Sequence, residues 1–160
     1  MAATLFYILA TVMVIATILA ITGRHPVHAI VYLVTSFFAL AGIFYLLLAP
    51  LVAMFEVIIY AGAVMVLFMF VIMMLDLGHP ERGGRPALGQ WLPALLLGAT
   101  VLATISYAAA GFAGDKLPAM LPGVKEFAVT LFSRYGVAIE VISLQLLFAV
   151  VGALYLGRRR

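Results

Sequence analysis

The stretch FEVIIYAGAVMVLFMFVIMML, Phe55 to Leu75, is apolar on every face of any helix it could form, and carries one carboxylic acid, Glu56, and one Tyr-Ala-Gly step, Tyr60 to Gly62. A helix crosses a bilayer with about 20 predominantly apolar residues, and a helix that is hydrophobic all round is either deeply buried or membrane-spanning. The length of this run favours the membrane.

The rest of the chain shares that solvent. It is 67% hydrophobic and 9% charged, with a mean hydropathy of +1.27, whereas soluble domains are about 45–50% apolar and about 25% charged. The reading is an all-α integral membrane protein embedded in a lipid bilayer. At about 20 residues per crossing, at most five or six crossings with their connections fit in 160 residues, so a single membrane domain over residues 1–160 is expected. With no cysteine in the sequence, thiol nucleophiles, disulfides and thiolate metal sites are excluded. A net charge of +3 could suggest nucleic acid in a soluble chain, but the basic residues gather in loops and at the C-terminus, where they set orientation. No nucleic-acid partner is expected.

Working outward from the central run, five spans are predicted, at about residues 4–22, 26–48, 51–75, 91–111 and 136–156. The first begins near Met1 without a basic leader segment and is followed by four more, so it reads as a span rather than a signal peptide. Gly23 to Pro26 makes a very short turn, with Gly suited to a helix end and Pro to the next helix start. Ala49-Pro50 separates the second and third spans with almost no loop, making them antiparallel neighbours. The segment DLGHPERGGRPALGQ, residues 76–90, reads as a polar loop. Trp91 suits an interface, and Pro93 suits a first helical turn. Residues 112–135 form a second long loop, in which Val124, Phe127, Ala128, Leu131, Phe132 and Tyr135 recur at helical spacing with Lys125, Glu126, Thr130, Ser133 and Arg134 between them. An amphipathic segment over 124–135 should therefore lie along the membrane surface.

Five spans place Arg24, Arg82, Arg85, Arg158, Arg159 and Arg160 on one side and Lys116, Lys125 and Arg134 on the other. The positive-inside rule puts the richer side, with the C-terminus and loop 76–90, in the cytoplasm. The N-terminus and loop 112–135 then face outside, in the periplasm of a bacterial cell.

Glu56 and Glu140 are the intramembrane acids. Ionisable groups in a span cost about 2.5–3.5 kcal/mol at the centre and usually face a bundle interior or a water cavity. Two readings stand: structural groups that snorkel or hydrogen-bond to a neighbouring helix, or members of a proton path, since leaving water moves a carboxyl's proton affinity by up to about 3–5 units toward the physiological range. On a regular helix Tyr60, four residues after Glu56, shares its face and could donate to the carboxyl. Gly62 permits close helix approach, a kink or a π-bulge. His25 and His28 lack a companion carboxylate or Cys in their turn and read as interfacial histidines rather than metal ligands. Met65, Met69, Met73 and Met74 read as gap-filling or lipid-facing residues. No phosphate loop, Ser-His-Asp set or haem-type histidine pair is present.

EVIIYAGAVMVLFMFVIMML in the third span, HPVHAIVYLVTSFFALAGIFYLLLAP in the second and VTLFSRYGVAIEVISLQLLF at the entry to the fifth together resemble the J-subunit family of proton-pumping NADH:quinone oxidoreductase, respiratory complex I, to which mitochondrial subunit 6 is related. The resemblance implies a subunit of an oxidoreductase complex in the bacterial inner (plasma) membrane, active only as part of that enzyme and without a catalytic site in this chain. It implies packing among subunits A, H and K, between H, which forms the quinone chamber, and the antiporter-like subunits, with A and K alongside. NADH, FMN, iron–sulfur clusters and quinone would be used in other subunits, with no cofactor or metal held here.

The family's third helix is known for a π-bulge near the Tyr-x-Gly step. Carried over, Tyr60, Gly62 and Val66 lie at or near the bulge, whose rearrangement makes or breaks a water path for protons. Glu56, and Glu140 in the fifth span, then line the path, the main intramembrane glutamates belonging to subunit K. Two other classes remain in view: a subunit of a related membrane-bound hydrogenase or cation/proton antiporter using Glu56 and Glu140 as ligands, and a purely structural scaffold.

Overall fold

The computed structural model describes residues 2–23, 26–75, 88–112 and 123–158, and every regular element among them is helical. The helices are α1 (Ala2–Thr22), α2 (Pro26–Leu46), α3 (Pro50–Met74), α4 (Leu88–Phe112), α5 (Val124–Arg134) and α6 (Gly136–Gly157). Five of them, all but α5, are long and apolar enough to cross a membrane, as a multi-pass membrane protein requires. By contacts the chain divides into two compact units, Met1–Ala119 and Met120–Arg160.

In the first unit α2 is the axis, touching α1, α3 and α4. Its span is 44% buried, against 11% for α3. Leu9 and Val12 of α1, Ala39 and Ile43 of α2 and Val101 of α4 form the core, with Phe6, Leu46, Leu97 and Ile105 packed around it. Apolar side chains gain little by leaving lipid for one another, so helices in a bilayer associate through small residues and hydrogen bonds. Both occur between α1 and α2. Ala16 and Ala39 are fully buried, and the Thr17 and Ser36 hydroxyls hydrogen-bond across the interface at 2.9 Å. The Thr17 proton goes to the Met13 carbonyl at 2.8 Å, which makes Ser36 the donor to Thr17, and the Ser36 oxygen stands 3.3 Å from the same carbonyl. At Gly42 an added Cβ would stand 3.0 Å from the Leu9 side chain, so glycine lets that leucine enter.

Register follows from these pairs. Leu9 opposite Gly42 and Thr17 near Ser36 make α1 and α2 antiparallel, while His28 against Trp91, ring centroids 5.0 Å apart, and Gly42 near Ile105 make α2 and α4 parallel.

The α2–α3 turn explains where α2 stops. Ala49 N–H bonds to the Phe44 carbonyl at 3.0 Å and Leu48 N–H to the Tyr45 carbonyl at 3.2 Å, the two bonds of a Schellman motif. Leu48 occupies the left-handed position, at φ 60°. α2 therefore ends at Leu46 rather than at 48, and Pro50 opens α3. Helix α4 begins at Leu88, earlier than the expected 91, so Pro93 sits inside it rather than in the first turn. Its missing N–H forgoes one interior helix bond there.

In the second unit α5 runs into α6 through Tyr135 alone, whose N–H bonds back to the Leu131 carbonyl and whose carbonyl accepts from Ile139 N–H. No residue of α5 or α6 is buried. The loop readings at 76–87 and 113–122, and Arg24, His25, Arg82, Arg85, Lys116, Arg159 and Arg160 with them, lie outside the described residues.

Candidate functional site

The third span is not one regular helix. It is α-helical over Pro50–Phe55, π-helical over Glu56–Val64 and α-helical again over Met65–Met74. At the entry, Glu56 N–H points to the Val52 and Ala53 carbonyls; at the exit, Met65 N–H points to Tyr60 and Gly62. The Met65-to-Tyr60 bond closes a wide, five-residue π turn.

The buried residues of α3 explain the wide turn. They are Ala53, Glu56, Ala61 and Met65, each 7–8% exposed, at successive steps of three, five and four. A regular α-helix would leave Met65 about 120° around the axis from Ala53. Absorbing one extra residue in a π turn brings both onto one face, which packs on α2. The five-residue step falls between Glu56 and Ala61.

This row overturns the regular-helix pairing of Tyr60 with Glu56. The residue sharing the buried face with Glu56 is Ala61, because π hydrogen bonding relates each residue to the fifth one on. Tyr60 is half exposed, and its ring lies 5.7 Å from Phe37 of α2 at a tilt of 51°. Gly62 stands close to the backbone of its own helix. A Cβ there would approach the Val57 carbonyl oxygen, five residues back, to 3.2 Å.

Beside the π stretch lies an apolar cavity of about 440 Å³, bordered by Val57 and Ile58 of α3, Leu9 of α1, Gly42 and Tyr45 of α2, and Thr104 of α4. A second, of about 300 Å³, lies between Thr35 and Phe38 of α2, Met69 of α3, and Gly98 and Ile105 of α4. Phe38 and Ile105 border both. The surface of both is almost wholly apolar.

Of the residues singled out from sequence, Glu56, Tyr60 and Gly62 thus fall within one π stretch. Val66 stands just past its end, exposed. Glu140 lies in the first turns of α6, in the second unit, exposed. His28 packs edge-on against Trp91. Among the described residues, no group of three or more His, Cys, Asp or Glu could hold a metal ion.

The family model described as NADH-ubiquinone/plastoquinone oxidoreductase chain 6 matches residues 16–156, from the last third of α1 to the end of α6. The chain belongs to this family.

Among curated relatives, the NADH-quinone oxidoreductase subunit J of Escherichia coli strain K12 is 38% identical over 158 residues, covering 96% of this chain and 85% of the relative. That of Pseudomonas aeruginosa is 37% identical over 165 residues, covering 96% and 95%, and that of Rhodobacter capsulatus 35% over 164, covering 96% and 80%.

In this chain 6 family member, sequence reasoning passed over Phe37, the Val57 carbonyl, the Thr17–Ser36 bond and both cavities. Hydroxyl residues at Thr17 and Ser36 inside apolar runs were the available signal for the interhelical bond. Nothing local announces Phe37 as the partner of Tyr60, since two residues so far apart in sequence meet only once α2 and α3 pack.

Proposed function

We propose that the chain is a membrane subunit of a proton-translocating NADH:quinone oxidoreductase, in the place that subunit J holds in the relatives. The carrying observation is the family match across residues 16–156, joined to relatives of that name at similar length. The chain would act only within the assembled enzyme, in a bacterial inner membrane with its N-terminus outside and C-terminus inside. Its neighbours would be subunits A, H and K, with H forming the quinone chamber, and the antiporter-like subunits. NADH, FMN, iron–sulfur clusters and quinone would be handled in those other subunits; this chain has no cysteine to hold an iron–sulfur cluster.

The proposed role of α3 is to couple quinone reduction to proton movement. A π turn carries one residue more than an α-helix of the same register, so relaxing it rotates the C-terminal half of the span, Met65 and Val66 first. The cavity beside Val57 and Ile58 leaves room for their side chains during that rotation. Glu56 sits at the start of the stretch on its buried row, where a carboxyl can take and release a proton once water reaches it. Tyr60, held by Phe37, and Gly62, free of a Cβ, set how readily the turn changes. Glu140 would line a path from the fifth span.

The test is gentle solubilisation of the chain with a C-terminal tag, mass spectrometry of the co-purifying chains, and an NADH:quinone assay of the assembly. Recovery with quinone-chamber and antiporter-like subunits and NADH activity is expected. Recovery with a hydrogenase or an antiporter module instead would overturn the assignment.

A further inference from the structure

We propose that α5 is a lipid-headgroup helix: it lies in the bilayer interface with its apolar arc in the acyl boundary, and Lys125 and Arg134 on its two flanks bind phospholipid phosphates.

Two independent features carry this. The first is the order of side chains around α5. At about 100° per residue, Phe127, Leu131, Val124, Ala128 and Phe132 fill one continuous arc, and Val129, Ser133, Glu126 and Thr130 fall on the other. Lys125 and Arg134, about two and a half turns apart, stand at the two borders between the arcs, and Glu126 lies near the middle of the polar one. Cations at both borders and an anion at the centre suit a helix half-sunk in a phospholipid surface. There the long basic stems run along apolar ground and deliver their charges upward to the phosphate plane, while the acid points to water. A neighbouring protein would not need the two cations split in this way.

The second feature is covalent. Only Tyr135 separates α5 from α6, and helix bonding runs up to it from one side and away from it on the other. Helix α6, at 22 residues, is about 33 Å long, close to the roughly 30 Å of the hydrocarbon core. Its first residue is therefore at the boundary, and the last turn of α5 is tethered at headgroup depth. Val124 and Phe132 are exposed at 67% and 69%, and lying in the interface is the placement that removes them from water. The lipid contacts of α5 do not depend on the proposed enzyme assembly.

Because the chain has no cysteine, single spin labels can be placed at Val124, Phe132 and Thr130 of the full chain before it is reconstituted with its co-purifying subunits in vesicles of phosphatidylethanolamine and phosphatidylglycerol. Power saturation with oxygen and a water-soluble nickel chelate should find the 124 and 132 labels open to oxygen and shielded from nickel, and the 130 label the reverse. Combining Lys125→Gln with Arg134→Gln should raise nickel access at 132, the ratio of inserted to raised helix falling about fivefold for each cation removed. Labels at 124 and 132 that meet nickel freely would overturn the proposal by placing α5 in water. Shielding of both from oxygen and nickel alike would overturn it by showing a protein neighbour. An unchanged nickel access in the double variant would remove the phosphate contacts and with them the proposal.

Discussion

Gly62 and Leu48 are opposite cases of backbone demand. Gly62 lacks a Cβ where one would stand 3.2 Å from the Val57 oxygen, so a branched side chain must push the π turn toward another geometry. Overpacking of this kind costs about 1–3 kcal/mol. Gly62→Val should leave NADH oxidation by the assembled enzyme largely intact and lower protons moved per NADH, read by acidification in proteoliposomes; unchanged pumping in an intact complex would favour a scaffold role for α3. Glu56→Gln keeps the size of the side chain and removes its capacity to take and release a proton, so the same assay should show a partial loss. Leu48 instead carries a side chain in left-handed backbone, at φ 60°, which costs an L-residue about 1–2 kcal/mol. Leu48→Gly should stabilise the α2–α3 corner by about 1 kcal/mol, net of the freedom glycine gains in the unfolded chain, seen as a higher midpoint in thermal unfolding in detergent.

At the scale of helices, α2 organises the first unit because it carries small residues and a hydroxyl together on the side that meets α1. Gly42→Val would drive a methyl into Leu9, 3.0 Å away already for a Cβ, and should lower the unfolding midpoint in mild denaturing detergent. Ser36→Ala removes the bond to Thr17, and interhelical hydrogen bonds in bilayers average about 0.6 kcal/mol, so its effect should be the smaller. The π stretch belongs to this scale too. Spans were legible from hydropathy because a membrane crossing is a local property of about 20 residues. The buried row of α3 was not, because it depends on the α2 surface that Ala53, Glu56, Ala61 and Met65 must meet together. The Tyr60–Glu56 pairing failed for that reason: it assumed a regular helix through a segment whose register is set by its neighbour. Gly62 by itself left a bulge as one of three options, and the family resemblance singled it out, since no periodicity in the sequence announces it.

For the molecule as a whole, the orientation reading is open to direct test. A fluorescent protein fused after Arg160 should fold and fluoresce, and alkaline phosphatase at the same place should be inactive, if the C-terminus faces the cytoplasm. The opposite pair of results would invert every span and move α5 to the inner face.

Composition, span number, the sharp α2–α3 corner and the amphipathic α5 were determined by the sequence itself, since each arises within a single helix length or at one turn and answers to lipid rather than to a partner. The tertiary structure alone decided that α2 is the axis, that Tyr60 leans on Phe37 while Ala61 takes the place beside Glu56, and that two apolar cavities flank Phe38 and Ile105. In a chain with apolar residues on nearly every helical face, hydrophobicity does not say which face turns inward. Small residues, hydroxyls and register decide it, and they act only when two helices meet.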